Sequence, residues 1–550
     1  MDAGRIDIDH ADQHDDENNH EHDDAVDPSV VSTRKVTVQV VQGPFHPQLL
    51  QDSWGRQPLL IRQAFDASAL VNEQHIWPQF SELMDLAAYD DDDERGGMMC
   101  EENFETDVDD FEDDSGDESY FLGEEEYMQS AETVMDSQTG ESARLITHIP
   151  HQLDSFHMEM GPFHRDELQA LVISPNNDDS FSAEQEKWTL LVNDVDRYKP
   201  ALAQWMDETF AFLPRWRRDD AQISIAPPGG GIGPHVDNYD VFLVQAQGSR
   251  SWKIGHQSLT VAQEMDALVD GINVRILQQQ QAEDAVDEGA SFTEWHVEAG
   301  DVLYLPPRVV HWGTASEPVS VDHDSMCMTL SVGCRAPSAS DLMARIAEQM
   351  ATSVAAAATA RFQDINLLQN ESSTSKPDIN ILSLTNEVKE QMGALAENAL
   401  SELIHDTAKW DELVGKTVTE PNRFLVGAIV PYDEIWDDDF LDRWGKTPSN
   451  ALRKVVKGRG SLRRANGISF ATSTLVIERC SVYRLFGFGQ MWQVEDAHES
   501  SDTVSQRIFG CIERGVPIGR QDLEGATEGL LKVVEDLIAE GLLCATDEKG

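Results

Sequence analysis

No run of about 18 consecutive apolar residues occurs in this 550-residue chain, so no membrane-spanning helix is expected. Cysteine is scarce. The six residues Cys100, Cys327, Cys334, Cys480, Cys511 and Cys544 lie far apart and form no C-x-x-C pair. That spacing indicates neither a zinc site nor a disulfide framework, and it fits a reducing compartment. Basic residues are few: 41 Lys and Arg stand against 100 Asp and Glu, a formal net charge of −59. Such a chain repels nucleic acid and lipid headgroups and attracts basic partners. A basic or acid-poor targeting peptide is missing as well, because the first 30 residues are acidic. The expected location is cytoplasmic or nuclear, with an organelle possible only if the N-terminus is wrongly assigned. Neither membrane association nor direct nucleic-acid binding is expected.

What the chain has in excess is acid, concentrated in two blocks. One is "IDIDHADQHDDENNHEHDDAVDP" near the start; the other runs from Tyr89 to Gln129. Both are too charged and too poor in aliphatics to bury surface, which predicts disorder. They read either as solvated tails that aid solubility or as docking segments for a basic substrate. Residues 1–35 are therefore read as a disordered acidic N-terminus, and 89–141 as an acidic insert inside a domain covering 36–340. In that domain "KVTVQVVQG" alternates like a strand, "WGRQPLLIRQAF" holds a second strand and "HIWPQFSELMDLAAY" reads as a helix. "KWTLLVNDVDRYKPALAQWMDETFAFLP" gives a strand and then an amphipathic helix. From Ala221 to Arg335, short strands are joined by Gly and Pro turns without helices between them. This pattern favours a small double-sheet barrel or jelly roll within an α+β chain. Residues 341–430 read as a helical segment of the kind that commonly serves dimerisation. Residues 431–550 combine helices with a β-hairpin and suggest a winged-helix-like module.

The chemistry gathers in "GPHVDNYDVFLVQAQGSRSWKIG", Gly233 to Gly255. Spaced two apart, His235 and Asp237 would face one side of an extended chain. In "GDVLYLPPRVVHWGTAS" a turn at Gly300-Asp301 leads into a strand, Val302 to Leu305, which Pro306-Pro307 ends; His311 then opens the next strand. His235, Asp237 and His311 have the composition of a two-histidine, one-carboxylate triad, which holds Fe(II) and leaves a face open for cosubstrate and oxygen. H-x-D alone is a weak signal. H-x-D on a strand, followed by P-P-x-x-x-H-x-G, is a stronger one; the plainer reading is three unrelated polar residues in loops. An oxygenase of this type needs a two-electron donor, commonly 2-oxoglutarate, whose far carboxylate requires a buried cation. Arg250 follows one strand and the "AQGS" turn, which places it on the neighbouring strand pointing into the same cavity. Arginine grips a carboxylate through two parallel hydrogen bonds. Ser224 in "QISIAP" would share the lumen face with Gln222 and could donate a second hydrogen bond. A surface turn residue and an ordinary strand serine are the plainer readings of these two.

The stretch "PPGGGIGPHVDNYDVFLVQAQGSRSWKIG" resembles the metal-binding core of JmjC-type ribosomal oxygenases, a cupin-like family with a double-stranded β-helix. Within it the resemblance is to the bacterial-type branch, 2-oxoglutarate-dependent arginine hydroxylases of a large-subunit ribosomal protein. "WGRQPLLIRQAF", "ARLITH", "GPFHRDEL", "KWTLLVNDVDRY", "LPPRVVHWG" and "LSVGCRAP" extend it over most of residues 36 to 340. The resemblance implies Fe(II) at His235, Asp237 and His311, 2-oxoglutarate held by Arg250 with Ser224, and O2 as the other cosubstrate. It implies hydroxylation of a basic ribosomal protein and a homodimer with a winged-helix-like end. The related eukaryotic histidine hydroxylases typically carry Lys where Arg250 stands, and an acidic or apolar run in place of Asn238-Tyr239-Asp240. Both features point to the arginine branch. The alternatives are a JmjC histidine hydroxylase or lysine demethylase and, from another class, a non-catalytic acidic adaptor or chaperone for basic proteins. The acidic head, the insert and the extension "EPVSVDHDS" depart from the family pattern; His323 in that extension reads as an exposed loop residue.

Overall fold

The computed structural model describes residues 33–66, 68, 76–89, 143–150, 152, 155–173, 186–269, 274–275, 277, 292–316, 326–353, 386–420, 429–435, 437–477, 480–496 and 503–547. The acidic head through residue 32, the insert beyond Tyr89 and His323 lie outside these residues. Strands are numbered in chain order. The first part of the chain supplies β1 (Gln39–Gln42), β2 (Leu59–Arg62), β3 (Ala88–Tyr89), β4 (Ala143–His148), β5 (His157–Met160) and β6 (Phe163–His164). It continues with β7 (Lys187–Val192), β8 (Ala221–Ala226), β9 (Asp240–Gln247), β10 (Ser249–Ser258), β11 (Leu268–Val269) and β12 (Val274–Arg275). The last of this part are β13 (Thr293–Glu298), β14 (Val302–Leu305), β15 (Val309–Ala315) and β16 (Cys327–Cys334).

Two of the resulting sheets pack on each other. The large one has nine strands in the order β1-β2-β14-β9-β16-β8-β7-β4-β5, and the small one runs β13-β10-β15. Val241 and Leu243 of β9 join Leu60, Leu303, Trp252, Ile254, Val297 and Val309 in a core between them. The alternate residues, Phe242 and Val244, turn to the far face, where helices close a second and larger core with Leu202, Met206 and Phe210. The strand is buried on both faces, which is why "VFLV" lacks the polar–apolar alternation of a one-sided strand. This is the two-sheet architecture that the strand pattern predicts. The prediction that no helix interrupts the stretch from Ala221 to Arg335 is corrected by a short one, Val261–Asp266. Thr260 caps it and forms a capping box with Gln263. Six residues are too few for helical periodicity to show.

Beyond β16 come helices Ala339–Ser353, Asn386–His405 and Thr407–Val418, which share a small core of Ile346, Leu403 and Leu413. The C-terminal part adds β17 (Ser461–Arg464), β18 (Phe470–Ile477), β19 (Cys480–Gly487), β20 (Gln490–Asp496) and β21 (Leu543–Thr546). Strands β18 to β20 form a meander, while β17 pairs with β21 and bridges to Ile518. Four helices pack with them around a core that includes Phe470, Leu485, Ile508 and Leu537.

A buried charge cluster joins this part to the large-sheet domain. Arg464 on β17 meets Asp207 at 2.7 Å, and Arg218 meets the same carboxylate at 2.8 Å. Arg215 reaches Asp196 at 3.3 Å, and the other Asp196 oxygen accepts from the Ala221 N–H at the start of β8. Among the described residues, no helix is long and apolar enough to cross a membrane.

Candidate metal and anion site

Side chains alternate across a strand, so one face of the large sheet is lined by every second residue. Met158, Ile146, Leu191, Ser224, Thr329 and Leu243, from six strands, together line one wall of a cavity of about 390 Å³. The opposing wall comes from Arg250 and Trp252 of β10 and His311 of β15, and from the loop that carries His235 and Asp237.

His235 and Asp237 do not lie on a strand, as the two-residue spacing suggested; they sit in the connection between β8 and β9. Two antiparallel bridges, His235 to His311 and Gly231 to Thr314, hold that loop against β15. Nor does His311 open its strand: it is the third residue of β15. The glycines around these positions allow the close approach. A Cβ on Gly231 would overlap the Gly313 carbonyl oxygen, and a Cβ on Gly313 would stand 2.7 Å from the Trp252 ring. The "HWG" triplet thus leaves room for the indole that packs behind His311, with ring centroids 5.8 Å apart.

The imidazole tautomers are set by the main chain. His235 Nδ1 lies 2.9 Å from the Gly233 carbonyl oxygen, and His311 Nδ1 lies 2.9 Å from that of Val309. Each carbonyl accepts from an Nδ1–H, which leaves each Nε2 with a lone pair. His311 Nε2 faces Asp237 Oδ2 at 3.6 Å. One ligand atom from each of His235, Asp237 and His311 lies within 4.8 Å of the others. Burial, then His311, holds the His235 imidazole down to about 4, so it is neutral at pH 7 and able to ligate. Two imidazoles with convergent Nε2 atoms and one carboxylate fit a divalent first-row metal.

Arg250 is 2% exposed, and Ser224 Oγ accepts from its Nη2 at 3.4 Å. Its guanidinium lies over Trp252, and its Nε has no hydrogen-bond partner. Among the described residues no carboxylate pairs with it. A buried charge left in that state costs several kcal/mol unless an anion joins it. The donor set therefore fits a small carboxylate at this end of the cavity. Ser224 also donates to the Thr329 carbonyl oxygen at 3.4 Å, so its hydroxyl is shared between the strand and the arginine.

Sequence reading missed an acidic rim. Asp194, Asp219 and Asp220 line the same cavity, together with Arg144, Tyr239 and Arg335. Asp220 Oδ2 accepts from the Asp194 N–H at 3.0 Å. Burial, then the charges of Asp220 and Asp196, pushes the Asp194 carboxyl up to about 8. Arg335 pairs with Asp219 at 2.7 Å and lies over the Tyr239 ring. Behind the ligand loop, Glu264 and Arg275 form a buried pair at 2.8 Å, and the Arg275 carbonyl accepts from the Val236 N–H. The adjacent pair Asp219-Asp220 before an apolar strand was the available signal, lost among 100 acidic residues.

Residues 206–342 match the JmjC domain family. Over 181 residues the chain is 34% identical to a "Probable ribosomal oxygenase" of Haemophilus influenzae, covering 31% of this chain and 37% of that protein. Over 164 residues it is 37% identical to a "Ribosomal protein uL16 3-hydroxylase" of Escherichia coli, covering 30% and 38% respectively. The matched segments thus span less than two fifths of these curated relatives. A bifunctional lysine-specific demethylase and histidyl-hydroxylase NO66 of Brugia malayi is 33% identical over 128 residues, 23% of this chain and 16% of that protein. An X-ray structure of Escherichia coli ycfD superposes with a TM-score of 0.50 at 19% identity, covering 91% of this chain and 98% of the other, a likeness of fold. His235, Asp237, Arg250 and His311 all lie within the segment, residues 206–342, that matches the JmjC domain family.

Proposed function

We propose that the protein is an Fe(II)- and 2-oxoglutarate-dependent dioxygenase that hydroxylates a large-subunit ribosomal protein, on an arginine side chain. The observation that carries this reading is the convergence of His235, Asp237 and His311 beside a buried guanidinium that has no carboxylate partner among the described residues. His235 and His311, through Nε2, and the Asp237 carboxylate would hold the iron. Arg250, with Ser224, would hold the far carboxylate of 2-oxoglutarate. When bound, ferrous iron with O2 and 2-oxoglutarate supplies the oxidising power for C–H hydroxylation.

The chain's own residues do the rest. The carbonyls of Gly233 and Val309 keep both imidazoles in one tautomer. Leu243, Val236 and Trp252 give the inner cavity apolar walls that exclude water. Asp194, Asp219 and Asp220 offer carboxyl groups in the cavity lining that can accept hydrogen bonds from a guanidinium such as that of an arginine substrate. The net charge of −59 would speed encounter with a basic protein. The name of the Escherichia coli relative supports a ribosomal substrate. Relatives named as histidyl-hydroxylases match a smaller share of this chain and favour that alternative less.

The same reading takes residues 36–340 as the catalytic domain, interrupted at 89–141, and the cytoplasm or nucleus as the location. Residues 341–430 are assigned to dimerisation, supported by the exposed Met343 and Ile404 on that helical segment. Residues 431–550 are assigned to a winged-helix-like module, supported by the β17–β21 pair with its bridge to Ile518.

The test is succinate formation and a gain of one oxygen by purified uL16, with the protein supplied with Fe(II), 2-oxoglutarate and O2. Both should disappear in Asp237→Ala. Binding of uL16 without turnover would favour the adaptor reading, and formaldehyde release would favour a demethylase.

A further inference from the structure

Among the described residues, strand β5 ends the nine-stranded sheet and pairs with β4 alone. The Gly161 N–H, just past β5, donates to the Ala143 carbonyl at 2.8 Å. In an antiparallel ladder, main-chain groups alternate direction with a period of two residues. His157 and Glu159 therefore turn theirs toward β4, and Met158 and Met160 turn theirs outward. Among the described residues nothing hydrogen-bonds those outward groups. Side chains alternate with the same period, and both methionines line the cavity. The residues with outward main-chain groups are thus the ones whose side chains face the candidate site.

The edge is also close to the ligands. Phe156, immediately before β5, lies against Gly233: a Cβ on that glycine would stand 3.2 Å from its ring. The Gly233 carbonyl is the one that holds His235 Nδ1. Open sheet edges are commonly blunted by Lys, Pro or a bulge. The β5 sequence, "HMEM", is short and carries one acidic residue, Glu159, but it has no Lys or Pro, and its register with β4 is unbroken.

We propose that the protein substrate docks as a short extended segment of a basic polypeptide that pairs with β5 as an additional strand. The N–H and C=O groups of Met158 and Met160 hold its backbone, which supplies affinity without reading sequence. Every second side chain of the segment then projects over the cavity face, between the two methionines and the acidic rim of Asp194, Asp219 and Asp220. The net charge of −59 on the whole chain favours a basic segment. The inference rests on the hydroxylase reading for its choice of probe.

The experiment follows amide hydrogen exchange at single-residue resolution in the full chain, loaded with Fe(II) and 2-oxoglutarate under anaerobic conditions, with and without saturating uL16. The Met158 and Met160 amides should exchange fast in the free protein and at least about tenfold more slowly with uL16. Met160→Pro removes one outward N–H at an edge position that tolerates proline, whereas Met160→Ala keeps it. The proline variant should show a KM for uL16 about fivefold above that of the alanine variant, the worth of one hydrogen bond. A thermal melt checks its folding, and the exchange data stand alone if it does not fold. Unchanged exchange in saturating uL16, or equal KM values for two folded variants, overturns the proposal. Slow exchange already in the free protein would put a segment of this same chain on the edge and overturns it too. Protection of both amides without any gain of oxygen by uL16 would remove the hydroxylase reading and leave the docking strand standing.

Discussion

His235 and His311 are hydrogen-bonded to each other twice through their main chains, each N–H donating to the other's carbonyl at 3.0 Å. This backbone pairing brings the two imidazoles together, with centroids 4.1 Å apart. Replacing either ring, or the Asp237 carboxylate, removes a ligand without disturbing the bridge. Asp237→Ala should lower affinity for Fe(II) or its Mn(II) surrogate by more than about 100-fold. The metal-free variant should melt within a few degrees of the metal-free parent. A calorimetric titration and a thermal melt read the two effects separately, and unaltered metal affinity would exclude Asp237 from the ligand set.

Arg250 should matter for cosubstrate before it matters for fold. A charge-assisted pair with a carboxylate contributes about 1.5–3 kcal/mol. Arg250→Ala should therefore raise the KM for 2-oxoglutarate by about 10- to 100-fold. Arg250→Lys keeps the charge but loses the two-pronged grip, so it should fall between the two. Initial rates of succinate release across 2-oxoglutarate concentrations provide the measurement, and a KM equal to the parent's in the alanine variant would refute the assignment.

The metal-free protein should be acid-sensitive in a defined window. Burial and the neighbouring His311 hold His235 down to about 4. An unfolded histidine titrates near 6.5, so the unfolded state takes up the proton first as the pH falls. Stability should be full above about 6.5 and decline toward 4, by up to about 3 kcal/mol from this group. Urea unfolding of chelator-treated protein at pH 7.5 and 5 measures the loss, which should shrink in His235→Gln. Equal losses in the two proteins would show that another group controls the acid limb.

Gly313 gives a test that concerns packing alone. An added methyl at this position meets the Trp252 ring at 2.7 Å, inside a closed core. Gly313→Ala should destabilise by about 1–3 kcal/mol, the usual cost of overpacking, and alter tryptophan fluorescence. A denaturation midpoint unchanged from the parent would mean that the indole has room to move.

Asp207 should behave as a pin between the two halves. It is the shared partner of Arg218 and Arg464, both of which burial holds down to about 10. Asp207→Ala leaves these cations buried without their carboxylate, which should cost about 3–5 kcal/mol. The loss should appear as a lower urea midpoint. An effect below about 1 kcal/mol would indicate that water reaches the cluster.

Much of this was legible in the residues themselves. His235, Asp237, His311, Arg250 and Ser224 were picked out by type and spacing, and the structure brings all five to one cavity. Two-residue spacing cannot tell a strand from an extended loop, and so His235 and Asp237 were assigned to the wrong kind of segment. The helix Val261–Asp266 was invisible because it is under two turns long. The acidic rim escaped for a different reason. Asp194 and Asp220 meet only through tertiary pairing, and in so acidic a chain no single aspartate stands out. The β5 edge was equally hidden, since which strand ends a sheet is decided by partners far along the chain.

The main-chain bridge between the two histidines has a consequence for assembly. One partner comes from a loop ahead of β9 and the other from β15, so nothing local brings them together. They become neighbours only when the two sheets have closed on each other. An ion that requires all three side chains would find no home on a half-finished molecule. Its uptake would mark those chains that have completed folding.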